Sequence, residues 1–216
     1  MSKFKNKYRI ESNRKPDWNY ADNGLYFLTI VTQNRVCNLG RIENNEMLLS
    51  DFGKIVLTEW MKSFEIRNEL ILDEFILMPN HLHAIVEIDN ELNKNLVVNP
   101  PVETHGRASQ NAEMHGVETH GVETHGRASL HEIKRNPPIR LPKSISSFIS
   151  GFKSSVNSKI DNFIDENNLN IAKYNRNNHF FQPNYHDHII RNDFEYLAIK
   201  DYIKNNPLNW DNDSLL

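Results

Sequence analysis

The chain has 216 residues, 38% of them hydrophobic, with a formal net charge of −3 and a mean hydropathy of −0.62. That suffices for one domain with a real core over 1–216, but the polarity requires hydrophilic insertions within it. A single cysteine, Cys37, excludes an intrachain disulfide and a multi-thiol zinc cluster, and the absence of a signal-like N-terminus or a run of ~18 apolar residues predicts a cytoplasmic protein without a membrane span.

In chain order, "GLYFLTIVTQNR" (24–35) is rich in aromatic and β-branched residues and predicts a first strand. "CNLGRIENNEMLLS" (37–50) predicts a hairpin turning at Asn44-Asn45. Ile55, Val56, Trp60 and Phe64 recur at helical intervals, which predicts a helix capped by Asp51. "ELILDEFILMP" (69–79) and "LHAIVEI" (82–88) predict two more strands. Residues 89–142 break the pattern. "VETHGRAS" stands at 102–109 and 122–129, with a truncated "VETHG" at 117–121. Its five-residue period fits neither helix nor strand, and its composition predicts a disordered insertion. Ile145, Phe148, Ile149, Phe152, Val156, Ile160 and Phe163 then predict an amphipathic helix over 144–167. "HFFQPNYHDHIIR" (179–191) reads as extended. "DFEYLAIKDYIKNNP" (193–207) reads as a helix that starts near Asn192 or Asp193 and is stopped by Pro207, with Phe194, Leu197, Ala198, Ile199 and Ile203 as its buried stripe. The order of elements predicts an α+β fold, an antiparallel sheet with helices packed on it.

Candidate chemistry begins at "FILMPNHLHAIVEI". In a strand, residues i and i+2 share a face with Cα atoms roughly 6–7 Å apart, so His81 and His83 can lean toward one metal ion. The alternative is a sheet face that holds two polar rings. Tyr202 and Asn206 lie four apart, on one helix face about one turn (~5.4 Å) from each other. Alone, Asn206 reads as a helix end before proline, and Tyr202 as an aromatic at the edge of a core.

Together these residues match a pattern. "MPNHLHAIVEI" and "FFQPNYHDHIIRNDFEYLAIKDYIKNNPLNW" resemble the REP-associated tyrosine transposases, a branch of the single-tyrosine HUH transposases. The resemblance also takes in "YFLTIVTQNR" and skips only the repeats and the extreme N-terminus. It implies a ferredoxin-like scaffold. It implies Mg²⁺ or Mn²⁺ held by His81, His83 and Asn206, and attack by Tyr202 on single-stranded DNA in palindromic hairpins. The product would be a 5′-phosphotyrosine link and a free 3′-hydroxyl; a second 3′-hydroxyl could reverse the step and join new ends. His188 would support the site or touch DNA. Lys153 and Arg191, each beside apolar core residues, are the candidate phosphate contacts, with solvated surface charge as the alternative. Related enzymes act as monomers or as homodimers.

The chemistry makes sense without the family. A phenol of pKa near 10 is a weak nucleophile at neutral pH. A metal held by neutral imidazoles keeps most of its charge for the scissile phosphate, and an amide oxygen suits a hard ion. Tyr185 is a rival nucleophile, but it has no Asn or Gln one helical turn on. Two other readings compete. One is a binding protein for single-stranded nucleic acid that has lost catalysis. The other is a metal-dependent hydrolase built on the histidine pair, which needs a carboxylate or third histidine converging on the pair and no role for Tyr202.

The repeat also has a reading in DNA. "ETHGRASL" can be encoded by GAG-ACG-CAC-GGC-CGT-GCG-TCT-C, which is its own reverse complement, and the copy ending in Gln110 can be encoded likewise. Palindromic elements inserted into this gene and tolerated in a loop would explain it. The codons of 103–110 and 123–130 should then be self-complementary; any other codon choice there removes the idea.

Overall fold

The computed structural model describes residues 18–92 and 141–216, together with the two-residue strands Lys3–Phe4 and Lys7–Tyr8, which are left unlabelled. Apart from its ends, the expected insertion at 89–142 lies outside the described residues. The labelled elements are β1 (Gly24–Val31), β2 (Gly40–Glu43), β3 (Glu46–Leu49), α1 (Asp51–Ile66), β4 (Leu70–Leu77), β5 (His81–Ile88), α2 (Ile145–Glu166), β6 (His186–Ile190) and α3 (Asp193–Asn205). Four strands form an antiparallel sheet in the order β4-β5-β1-β6, while β2 and β3 pair separately. With its helices, the main sheet reads β1-α1-β4-β5-α2-β6. Two split βαβ units interleave, which is the ferredoxin-like arrangement.

Strand alternation gives the two sheet faces different work. Tyr26, Leu28 and Ile30 of β1 pair with Val86, Ala84 and Leu82 of β5. They face Val56 and Trp60 of α1 and Phe148, Phe152, Val156 and Ile160 of α2 in the main core. Trp60 anchors that layer, its ring centroid 5.3 Å from Phe148 and 5.1 Å from Phe152. The opposite face carries Phe27, Thr29, His83 and Ile85. There Ile85 and Ile190 pack with Ile203 of α3 in a smaller cluster.

Several local expectations are corrected. The first strand ends at Val31, not near Arg35: the buried Thr32 hydroxyl reaches the carbonyls of Val36 and Asn80, closing a turn in which Asn34 and Arg35 have positive φ. Helix α1 is capped by Ser50, whose side chain accepts from Gly53 N–H, while Asp51 pairs with Lys54 instead. The hairpin turns at Asn44-Asn45 as expected, both at positive φ. Of 179–191 only His186–Ile190 is strand.

The correction on α3 bears on function. Phe194 is 85% exposed, and Leu197 and Ala198 are exposed too, so none belongs to the buried stripe. The inward face is Ile199, Ile203 and Asn206, with half-exposed Tyr202 at its edge, at i, i+4, i+7 and i+3. Helix α3 is turned so that Tyr202 and Asn206 cover the sheet, and Phe194 and Leu197 therefore point out. Lys200–Asp73 at 2.9 Å and Lys204–Glu74 at 3.4 Å tie the helix to β4.

Candidate active site

His81 and His83 project from β5 onto the α3 face, their ring centroids 4.5 Å apart. The strand pairing places His83 opposite Thr29 and His81 opposite Val31. Thr29 Oγ1 lies 2.8 Å from His83 Nδ1. Asn80 Oδ1 lies 2.7 Å from His81 Nδ1. The Asn80 amide nitrogen donates to the carbonyls of Leu215 (2.7 Å) and Arg35 (3.2 Å), so its oxygen is the side that faces His81. An amide oxygen can only accept. His81 therefore carries its proton on Nδ1 and presents the Nε2 lone pair to the site.

Both rings are neutral. His81 is wholly buried, and burial lowers its pKa to about 4, against the upward pull of Asp213 and Asn206. Burial lowers His83 to about 3, with His81 adding to the effect. Neutral imidazole is the form that binds metal.

Helix α3 brings the next two groups. Tyr202 Oη lies 3.2 Å from His83 Nε2. Phe27 walls the site: it stacks on His83 at 5.2 Å and meets Tyr202 edge-on at 6.3 Å. Tyr202 is 46% exposed, so part of the side chain stays open to solvent. Its pKa is raised by burial and then by the Asp213 charge, while Asn206 pulls it down. Asn206 is buried, and both its Oδ1 and His81 Nε2 are without a hydrogen-bond donor among the described residues. Two such buried acceptors are costly unless a donor or a cation meets them.

A carboxylate completes the set. After α3 a 3-10 turn, Pro207–Asn212, folds the chain back and lays Trp210 beside His81. Asn80 holds the Leu215 carbonyl and Arg35 Nη1 holds that of Ser214 at 3.0 Å. That tail delivers Asp213, whose Oδ2 is 3.8 Å from His81 Nε2. Ligand atoms of His81, His83 and Asp213 all lie within 4.8 Å of one another. With Asn206 they offer two imidazole nitrogens and two hard oxygens, a donor set that fits a divalent ion. Sequence reasoning missed Asp213 because nothing separates it from Asp211 in "NWDNDSLL". Asn80 was visible in "MPNHLH", but only as a strand break.

The structure thus gathers His81, His83, Tyr202 and Asn206. His188 shares the α3 face through its pairing with Phe27, and its imidazole meets Glu195 at 2.6 Å. Arg191 is exposed beside it, its backbone N–H donating to Glu195 Oε2 at 2.9 Å. Lys153 is not brought to the group. It sits on α2, which packs on the other sheet face, and its ammonium donates to the carbonyls of Gln182 (2.6 Å), Asn184 (3.2 Å) and Pro183 (3.5 Å). Burial lowers its pKa to about 8, yet those carbonyls favour the charged form. Tyr185 packs against the main core with its hydroxyl 3.4 Å from Ser146 Oγ, away from the histidine pair.

No family model matches the chain. A protein of Haemophilus influenzae is 31% identical over 207 residues, covering 94% of this chain and 91% of that one. The chain belongs to the same family as that protein. The Haemophilus relative is uncharacterised, so kinship alone supplies no activity. Among solved structures, the chain is similar to a REP-associated tyrosine transposase bound to a REP hairpin: TM-score 0.47, 14% identity, 91% of this chain and 74% of that one. It is also similar to a candidate transposase from Deinococcus radiodurans: TM-score 0.39, 12% identity, 89% and 97% of the two chains. Neither likeness is close enough to carry function. Among the described residues no helix is long and apolar enough to cross a membrane.

Two outcomes follow from the site. Asn80→Ala frees the His81 tautomer and the tail together, so Mn²⁺ affinity measured by titration calorimetry should fall about 10–100-fold. Both histidines have folded values below the ordinary 6.5. The unfolded chain therefore takes up protons first as pH falls, and stability held above pH 6.5 is lost toward pH 4 and below. The unfolding midpoint of metal-free protein should drop between pH 7 and 4, with a shallower drop in His83→Gln.

Proposed function

We propose that this protein is a metal-dependent nickase and strand transferase for single-stranded DNA, with Tyr202 as its nucleophile. The observation that carries the reading is the placement of Tyr202 Oη 3.2 Å from His83 Nε2, beside His81 Nε2 and Asn206 Oδ1, buried acceptors that meet no donor among the described residues. His81, His83 and Asn206 would hold Mg²⁺ or Mn²⁺, with Asp213 as a further oxygen ligand. When bound, the ion would draw electrons from the scissile phosphate and offset its charge.

Tyr202 Oη forms a bond to phosphorus as the bond from phosphorus to the 3′-oxygen breaks. The phenol gives up its proton and the 3′-oxygen leaves as a hydroxyl, so the DNA keeps a 5′-phosphotyrosine link. A second 3′-hydroxyl can attack that link and regenerate the phenol, which makes the reaction transfer rather than hydrolysis. His83 is a poor candidate for general base, because burial lowers its pKa to about 3 and leaves it too weakly basic to hold a proton taken from the phenol. Its work is to orient Tyr202 and to offer a neutral nitrogen. Exposed Arg191, and His188 on the sheet face of Phe27, would meet the backbone phosphates of a bound strand. Hairpin DNA is the form of substrate that the sequence resemblance implies.

Asp213 gives weight to a second reading, a hydrolase that activates water at the same centre. The contact of Tyr202 with His83 speaks against it, since that reading leaves the phenol without a role. Incubation with Mn²⁺ and labelled single-stranded hairpins should yield a protein–DNA adduct that survives denaturing electrophoresis. The adduct should vanish in Tyr202→Phe and persist in Tyr185→Phe. Cleavage without an adduct would favour the hydrolase, and binding with neither would favour a protein that only binds DNA.

A further inference from the structure

The sequence between β5 and α2 carries a repeat that can be read as DNA. Strand β5 runs from His81 to Ile88, so at ~3.3 Å per residue the chain leaves the sheet about 23 Å from His81. It re-enters at Ser144, which caps α2.

The repeat can be written as a self-complementary DNA strand. Across residues 122–131, the first codon bases of Val122, Glu123, Thr124, His125 and Gly126 are G, G, A, C and G. Those of His131, Leu130, Ser129, Ala128 and Arg127 can be C, C, T, G and C. Every one of these pairs is complementary. The copy at 117–121 stops at Gly121, the codon that contains the dyad, so it is one arm of the same palindrome. A third run, "AEMHG" at 112–116, differs from "VETHG" only at Ala112 and Met114. Methionine has the single codon ATG, one base from ACG and two from any other threonine codon. ACG is the codon the palindrome needs, because the third base of Thr124 faces the central C of Ala128. A single-base change from ACG would account for Met114.

We infer that the substrate of this site is the hairpin of this palindrome, 5′-GTAGAGACGCACGGCCGTGCGTCTCTAC-3′, so that the protein nicks a single strand of its own gene. The inference rests on the proposed nicking by Tyr202. A self-complementary strand folds into a stiff, phosphate-rich stem for the protein to hold. Its foot leaves unpaired nucleotides next to a fixed landmark, as an open, half-exposed phenol requires. Arms repeated side by side within one coding region are also what rejoining of nicked palindrome ends leaves behind.

Reading the codons of 103–110 and 122–131 comes first; codons that cannot pair there overturn the inference. Three single-stranded oligonucleotides then compete for the full chain with Mn²⁺. One is the gene strand around 122–131, one has both arms permuted but still complementary, and one has a single arm permuted so that no stem forms. Adduct formation should favour the gene strand by about tenfold or more. Metal-free Tyr202→Phe, read by fluorescence anisotropy, should bind the three in the same order. Equal adduct and equal binding on the permuted hairpin overturn this inference and leave the nickase standing. An absence of adduct on these and on other genomic hairpins removes both.

Discussion

The site depends on burying two imidazoles on one face of a sheet whose other face builds the core. The β1–β5 register sets Thr29 opposite His83 and keeps both rings away from water. Burial holds them neutral, and a neutral ring has one nitrogen to donate from and one to offer. Thr29 and Asn80 occupy the inner nitrogens. The outer nitrogens are then turned toward α3, and the chemistry of the site follows from that orientation.

Asn80 also joins the site to the end of the chain. Its oxygen sets the His81 tautomer, while its nitrogen holds the tail that carries Asp213. Both ends of one amide are spent, so neither part can shift without leaving a buried polar group unpaired. Tyr202 is under a looser constraint. Helix α3 buries only Ile203 fully and is otherwise tied to β4 by two ion pairs. A tyrosine on a lightly packed helix above a buried histidine pair suits the proposed reaction, whose substrate would enter and leave as a polymer.

What the sequence disclosed tracks how local each signal was. The histidine pair was legible because strand period alone puts i and i+2 together, and the Asn44-Asn45 turn because its conformation favours those residues. The Tyr202–Asn206 face followed from helical spacing. Phe194 and Leu197 were misread because helix α3 gives part of its inward face to Tyr202 and Asn206, which hydrophobic pattern cannot anticipate. Asp213 and the dual role of Asn80 were hidden, since each depends on contacts between residues far apart in the chain. Lys153 looked available for phosphate because a lysine's neighbours in sequence do not reveal three carbonyls from 182–184.

The central claim is that one phenol on α3 becomes bonded to DNA. The most direct measurement is mass spectrometry of trypsin-digested protein after reaction with a single-stranded hairpin and nuclease trimming. The account predicts a phosphonucleotide on the peptide from Asp201 to Lys204, which contains Tyr202. Cleaved DNA with that peptide unmodified, or a nucleotide found on Tyr185 instead, would contradict it.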